Sequence, residues 1–138
     1  MSYKYLEHST DAFIEVKAKT LEEAFSVAGK SVVDTIIDLK NIQEIEEKNI
    51  NVKGRNLLNL LYNWLEEIVT ITITDGFAIR NFSVNIKKNK EYQIASKVSG
   101  EKLDLKKHNF KVEIKSPTFH LMEINENDEI TMRYLLDL

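Results

Sequence analysis

The apolar residues of this chain change their spacing along its length, and that change limits the folds open to it. Leu21, Phe25, Ala28, Val32, Ile36 and Leu39 recur at helical spacing, so they line one face of a helix turned toward a core. A capping box opens this helix. In Thr20-Leu21-Glu22-Glu23 the Thr20 hydroxyl can accept the Glu23 backbone N–H, and Glu23 can reach back to the Thr20 N–H. A second stripe, Leu57, Leu61, Trp64, Leu65 and Ile68, predicts a helix from about Arg55 to Val69, with a turn behind it at Asp75-Gly76.

Elsewhere the period is two. Residues 12–18, 49–53, 78–87, 91–98, 110–115, 119–124 and 129–136 read as strands, with a turn at Asn89 and a hairpin turn over Asn125-Glu126-Asn127-Asp128. The order is β-α-β-α followed by a run of strands. It predicts an α+β fold, a two-layer sandwich with two helices packed on one face of a mostly antiparallel sheet.

Composition removes several classes of function. The 138 residues fit a single domain, taken as residues 1–138. Cysteine is absent, which excludes disulfides, thiolate nucleophiles and Cys-ligated metals. Glycine stands only at positions 29, 54, 76 and 100, so there is no GxGxxG and no Walker loop to cradle a nucleotide. No HExxH or GxSxG is present either. The net charge of −3 supplies no global field for RNA, DNA or anionic lipid, although lysines at 87–90 and 106–111 could touch phosphate. The start, MSYKYLEHSTD, lacks an apolar signal core, and the apolar run 57–73 carries Glu66 and Glu67 near its middle. A cytoplasmic protein with no membrane association is expected.

Three polar groupings fall where turns or strand ends are expected. His8-Ser9-Thr10-Asp11 precedes the first clear strand, and Asp11 there can close an Asx-turn or serve as a carboxylate ligand. The last strand ends in Asp137 and Leu138, placing a side-chain carboxylate beside a main-chain one. Such neighbours repel, and water, Lys, Arg or a hard, oxygen-loving cation can offset the repulsion. The third grouping holds Gly100-Glu101, Asp104 and His108, then Lys115, Thr118 and His120; it is readable as Gly100 in a turn, Asp104 opening a helical turn and Lys115 on a solvated face.

Six short segments, in order, resemble one known family, archease. Tyr5-Leu6-Glu7-His8-Ser9-Thr10-Asp11 is similar to its opening YLxHTAD, and Thr20-Leu21-Glu22-Glu23-Ala24-Phe25 to its TLEEAF. Asn63-Trp64-Leu65-Glu66-Glu67 resembles EWLNE, the span from Gly100-Glu101 to His108 resembles GExxDxxxH, and residues 113–120 resemble EVKAVTYH. The closing Leu136-Asp137-Leu138 resembles a terminal LDI or LDV. The departures are HSTD for HTAD, Asn63 and Glu66 in exchanged polar roles, and Pro117, which removes a backbone donor and suggests an edge strand or bulge.

The resemblance implies an accessory protein, not an enzyme: an activator of the GTP-dependent tRNA-splicing ligase. It would promote guanylylation of the ligase and its repeated turnover, and would meet tRNA only indirectly. The implied cofactor is a divalent cation, calcium foremost with magnesium or manganese as alternatives. Its implied ligands are Asp11, Asp137 and the terminal carboxylate of Leu138. His8, Lys115 and His120 are further candidates for the same functional face. The rival readings are a stand-alone metal-dependent hydrolase using His8 as base, and a general chaperone-like module.

Overall fold

The computed structural model describes residues 2–6 and 11–138. In chain order the elements are β1 (Ser2–Leu6), β2 (Asp11–Ala18), α1 (Leu21–Ile36), β3 (Glu46–Gly54) and α2 (Leu57–Val69). They are followed by β4 (Phe77–Lys88), β5 (Tyr92–Lys102), β6 (Ser116–Glu126) and β7 (Ile130–Asp137). The α+β expectation holds, with two helices packed against antiparallel sheet. The strands divide into a four-stranded sheet, β1-β2-β7-β6, and a three-stranded sheet, β3-β5-β4. Both helices touch both sheets: α1 packs on β2 and β4, and α2 on β3 and β6.

That position explains the burial of α1. Its buried residues extend beyond the Leu21–Ile36 stripe to Val27, Gly29, Ser31, Val33 and Thr35, as expected of a helix covered on more than one side. Thr20 caps it, accepting the Glu23 N–H at 3.1 Å. At its C-terminus the Ile36 carbonyl, one of the orphan acceptors of any helix end, takes the Lys111 N–H at 2.8 Å. Asn56 caps α2 through the Asn59 N–H at 2.8 Å. Trp64 joins the two helices: its indole N–H donates to the Phe25 carbonyl at 2.8 Å, and its ring meets Phe82 edge-on at 5.9 Å. A Cβ at Gly29 would press into that Phe82 ring, so the glycine lets α1 sit close to β4.

Several local expectations change. The segment 110–115 is not a strand; its N–H groups serve the end of α1 at Lys111 and the Asp137 carbonyl at Lys115, at 2.8 Å each. Gly100 is not in a turn. It lies within β5 opposite Ile79, beside a bulge in β4, where a Cβ would collide with the Ala78 carbonyl oxygen. Pro117 falls in β6, an edge strand, where a missing N–H is tolerated. Among the described residues no helix is long and apolar enough to cross a membrane.

Candidate metal centre

The register of β2 on β7 is fixed by the core. Ile14, Val16 and Ala18 pair with Tyr134, Met132 and Ile130, and all six are buried. Side chains alternate along a strand, so a slip of one residue would turn this whole set outward. With the register so pinned, the opposite parity pairs Glu15 with Arg133, Phe13 with Leu135, and Asp11 with Asp137.

The two polar rows on this face differ in charge logic. Glu15 is buried, and Arg133 Nε donates to its Oε2 at 2.7 Å, with Lys4 Nζ 3.4 Å from Oε1. The Arg133 hydrogen bond holds the Glu15 carboxyl below the usual carboxylate range, against the opposing pull of burial. At the end of the same ladder, Asp11 and Asp137 bring two carboxylates opposite each other. Cβ atoms in such pairs stand roughly 4.5–5.5 Å apart, and like charges there are destabilising. On the other side of β7, Asp137 pairs with Ser116 and its carbonyl accepts the Lys115 N–H at 2.8 Å.

Asp11 and Leu138 also line an open depression of about 440 Å³ with Tyr5, Asp34, Thr35 and Lys111. Asp34 comes from α1 and is the acidic neighbour that the sequence reading missed. Tyr3 donates its hydroxyl to Asp34 Oδ2 at 2.6 Å. Lys111 Nζ donates to the Asp34 carbonyl at 2.6 Å and stands 3.7 Å from Oδ1. Burial, reinforced by Asp34, pushes the Tyr3 hydroxyl pKa well above the usual tyrosine range. Tyr5 shares a hydrogen bond with Thr35 at 2.9 Å and is also raised, chiefly by burial. Asp34 follows Glu22, Ser26 and Lys30 along the partly exposed side of α1, so in the sequence it reads as part of a solvated face.

This donor set is all oxygen, which suits a hard cation and not a thiophilic one. Among the described residues no three Asp, Glu or His side chains converge as a metal cluster. A cation beside Asp11 and Asp137 would therefore draw on main-chain oxygens and water, as calcium readily does. Leu138, which lines the same depression as Asp11, can offer main-chain oxygens, while Asp34 already has Lys111 and Tyr3 for partners. The residues fit a hard divalent ion.

The remaining candidates separate from this end or stay outside view. Lys115 is exposed but tied to Asp137 through its backbone. His120 is exposed in β6, its N–H bonded to Thr118 Oγ1 at 3.2 Å, inside the irregular stretch between Thr118 and Glu123. No hydrogen bond or ion pair joins it to Asp11 or Asp137 among the described residues. His8 lies outside the described residues. Asn63 donates to the Lys53 carbonyl at 2.8 Å, which ties α2 to β3.

The Gly100–His108 segment is a lock and not a reaction site. His108 is fully buried, and its Nδ1 accepts the Asp104 N–H at 3.0 Å. That tautomer leaves Nε2–H to donate to Glu101 Oε2 at 2.9 Å. Glu101 also accepts Lys107 Nζ at 2.8 Å and the Gln43 N–H at 2.8 Å. These donors, Lys107 first, hold its pKa at about 2. Asp104 Oδ1 accepts the N–H groups of Lys106 and Lys107, the turn expected of it.

The profile of the archease protein family (MTH1598/TM1083) matches residues 3–138. The chain is 37% identical to the protein archease of Pyrococcus abyssi over 125 residues, 90% of this chain and 88% of that one. It is 34% identical to the protein archease of Methanopyrus kandleri over 140 residues, covering 100% of both. The solution structure of Methanobacterium thermoautotrophicum protein 1598 superposes with a TM-score of 0.81 at 27% identity, over 99% of each chain. The crystal structure of an archease from Thermotoga maritima, described as a possible chaperone, shares the fold with a TM-score of 0.63 at 19% identity, over 98% of this chain and 96% of that one. With the family profile spanning nearly the whole chain and relatives alike from end to end, the chain belongs to the archease family.

Proposed function

We propose that this protein is an accessory activator of the GTP-dependent tRNA-splicing ligase, acting through a divalent cation held by Asp11, Asp137 and the main-chain carboxylate of Leu138. The observation that carries the reading is the Asp11–Asp137 pair, two carboxylates opposed at the end of one ladder with Leu138 next in chain. Membership of the archease family and the oxygen-only donor set support it. When bound, the cation would supply a fixed positive charge for phosphate oxygens at the docking face. The chain itself contributes the rest. The β2–β7 register holds both carboxylates at one place, Lys111 and Tyr3 keep Asp34 engaged beside them, and Lys115 tethers the neighbouring strand end.

The protein would thus promote guanylylation of the ligase and its repeated turnover without performing chemistry of its own. The test is multiple-turnover ligation by the purified ligase with and without this protein. Asp11→Ala and an extension beyond Leu138 should remove the stimulation while the fold is kept. Normal turnover with either variant would overturn the reading. Hydrolysis of phosphate esters by this protein alone would favour a metal-dependent hydrolase instead.

A further inference from the structure

The three-stranded sheet has a second face that the metal centre does not use. One face packs Ile50, Val52, Ile94 and Val98 into the core. The other is built in cross-strand rows: Lys53–Gln93–Lys87, Asn51–Ala95–Asn85, Asn49–Lys97–Ser83 and Glu47–Ser99–Asn81. Two depressions of about 490 and 280 Å³ lie on this face, and both are lined by Asn51, Asn85 and Ala95. They form one trough with the small Ala95 as its floor. From Glu47 to Lys53 it is roughly 20 Å long, at about 3.4 Å per strand residue.

The composition of this face is specific. Asparagine is depleted in strands generally, yet four occur here, at positions 49, 51, 81 and 85. Among the described residues the side-chain amides of Asn49, Asn51 and Asn85 have no hydrogen-bond partner, so their donors and acceptors are available. The charged groups in the trough are Lys53, Lys87 and Lys97, against Glu47 at one end, where the Glu44 carboxylate also accepts the Ser99 hydroxyl at 2.6 Å. The lysines thus stand in the rows from Asn49 to Lys53 and the carboxylates at the Glu47 end, a local balance unlike the net −3 of the whole chain.

We propose that this trough binds the sugar–phosphate backbone of an RNA strand. Ammonium groups and amide donors are what phosphate and sugar oxygens take from proteins. The trough has no aromatic platform for base stacking, and it lacks the Trp, Tyr, Met and Arg that mark the centre of protein interfaces. The amides can donate to and accept from a 2′-hydroxyl, the group that separates RNA from DNA. The choice of RNA over DNA also rests on the proposed role beside an RNA ligase; binding by the chain alone does not.

The test is fluorescence anisotropy of a labelled, unstructured RNA oligonucleotide with the purified protein alone, without ligase. The triple variant Lys53→Ala/Lys87→Ala/Lys97→Ala should weaken binding at least tenfold. A control triple of equal charge change off this face, Lys19→Ala/Lys40→Ala/Lys102→Ala, should change it less than twofold. Asn51→Ala/Asn85→Ala, which leaves charge intact, should weaken it several-fold with the circular dichroism spectrum unchanged. The logarithm of affinity should fall with the logarithm of salt with a slope of about −2, as expected for three phosphate contacts on a single strand. No binding at low salt, equal losses in both lysine triples, or equal affinity for DNA of the same sequence would overturn the assignment. Ligase activation is read separately, so a failure of either reading is visible without the other.

Discussion

Asp11 and Asp137 stand directly opposite each other in the β2–β7 ladder, two carboxylates far apart in sequence and joined by register alone. Two rows along the same face, the equivalent pair is Glu15 with Arg133, opposite in charge and hydrogen-bonded at 2.7 Å. The end of the ladder thus sets like charges opposite each other where the middle sets opposite ones. A bound divalent cation would turn that repulsion into an attraction, and the consequence for stability is measurable.

Asp137→Asn removes the like-charge pair at constant shape. Without divalent ions the variant should be as stable as the parent or more so, by roughly 0.2–1 kcal/mol. Calcium at about 100 times its Kd should stabilise the parent by about 2.7 kcal/mol and leave the variant where it was. Thermal melts with calcium and with chelator read both effects. Equal calcium shifts in the two proteins would remove Asp137 from the site.

Acid stability should depend on the Glu101 lock. Its folded-state pKa of about 2 lies below the ordinary 4.5, so the unfolded chain binds the proton first as pH falls. The contribution is complete above about pH 4.5 and is lost as pH falls toward 2. Glu15, lowered chiefly by Arg133, adds to the same trend. Urea midpoints across this range should fall less steeply for Glu101→Gln than for the parent; parallel curves would show that the lock does not govern the acid limb.

Two glycines should respond differently to alanine. Gly100→Ala drives a Cβ into the Ala78 carbonyl oxygen, which as backbone cannot swing aside, and should cost at least about 3 kcal/mol. At Gly76, φ is +65° with nothing within 4 Å of an added Cβ. Only the left-handed backbone opposes the methyl there, at about 1–2 kcal/mol. Chemical denaturation of both variants checks the order, and a milder Gly100→Ala would show that the β4 bulge can relax.

The helices were legible because each carries its own signals, a cap and a stripe at helical spacing. Residues 110–115 misled because their alternation is real but serves another end: Ile114 is buried while the backbone donates to the end of α1 and to β7. Strand β1 gave no clear pattern, since Ser2–Leu6 is a five-residue edge strand in which only Tyr3 and Leu6 are partly buried. Gly100 looked like a turn because a glycine required by close strand approach has the same letter as one required by φ. At the candidate site, Asp11, Asp137 and Leu138 were joined by family resemblance; the sequence alone left solvation and a turn open. Asp34 was invisible for a related reason. On a helix, an acidic residue reads as a solvated face until the packing of Lys111 and Tyr3 against it is known.

The most direct measurement is guanylylation of the purified ligase by labelled GTP, in the presence of this protein, with divalent ions supplied or chelated and retitrated. The parent protein should stimulate incorporation of GMP. Asp137→Ala, folded as judged by circular dichroism, should lose that stimulation by tenfold or more. Undiminished stimulation by Asp137→Ala and Asp11→Ala would contradict a metal centre at the end of the β2–β7 ladder.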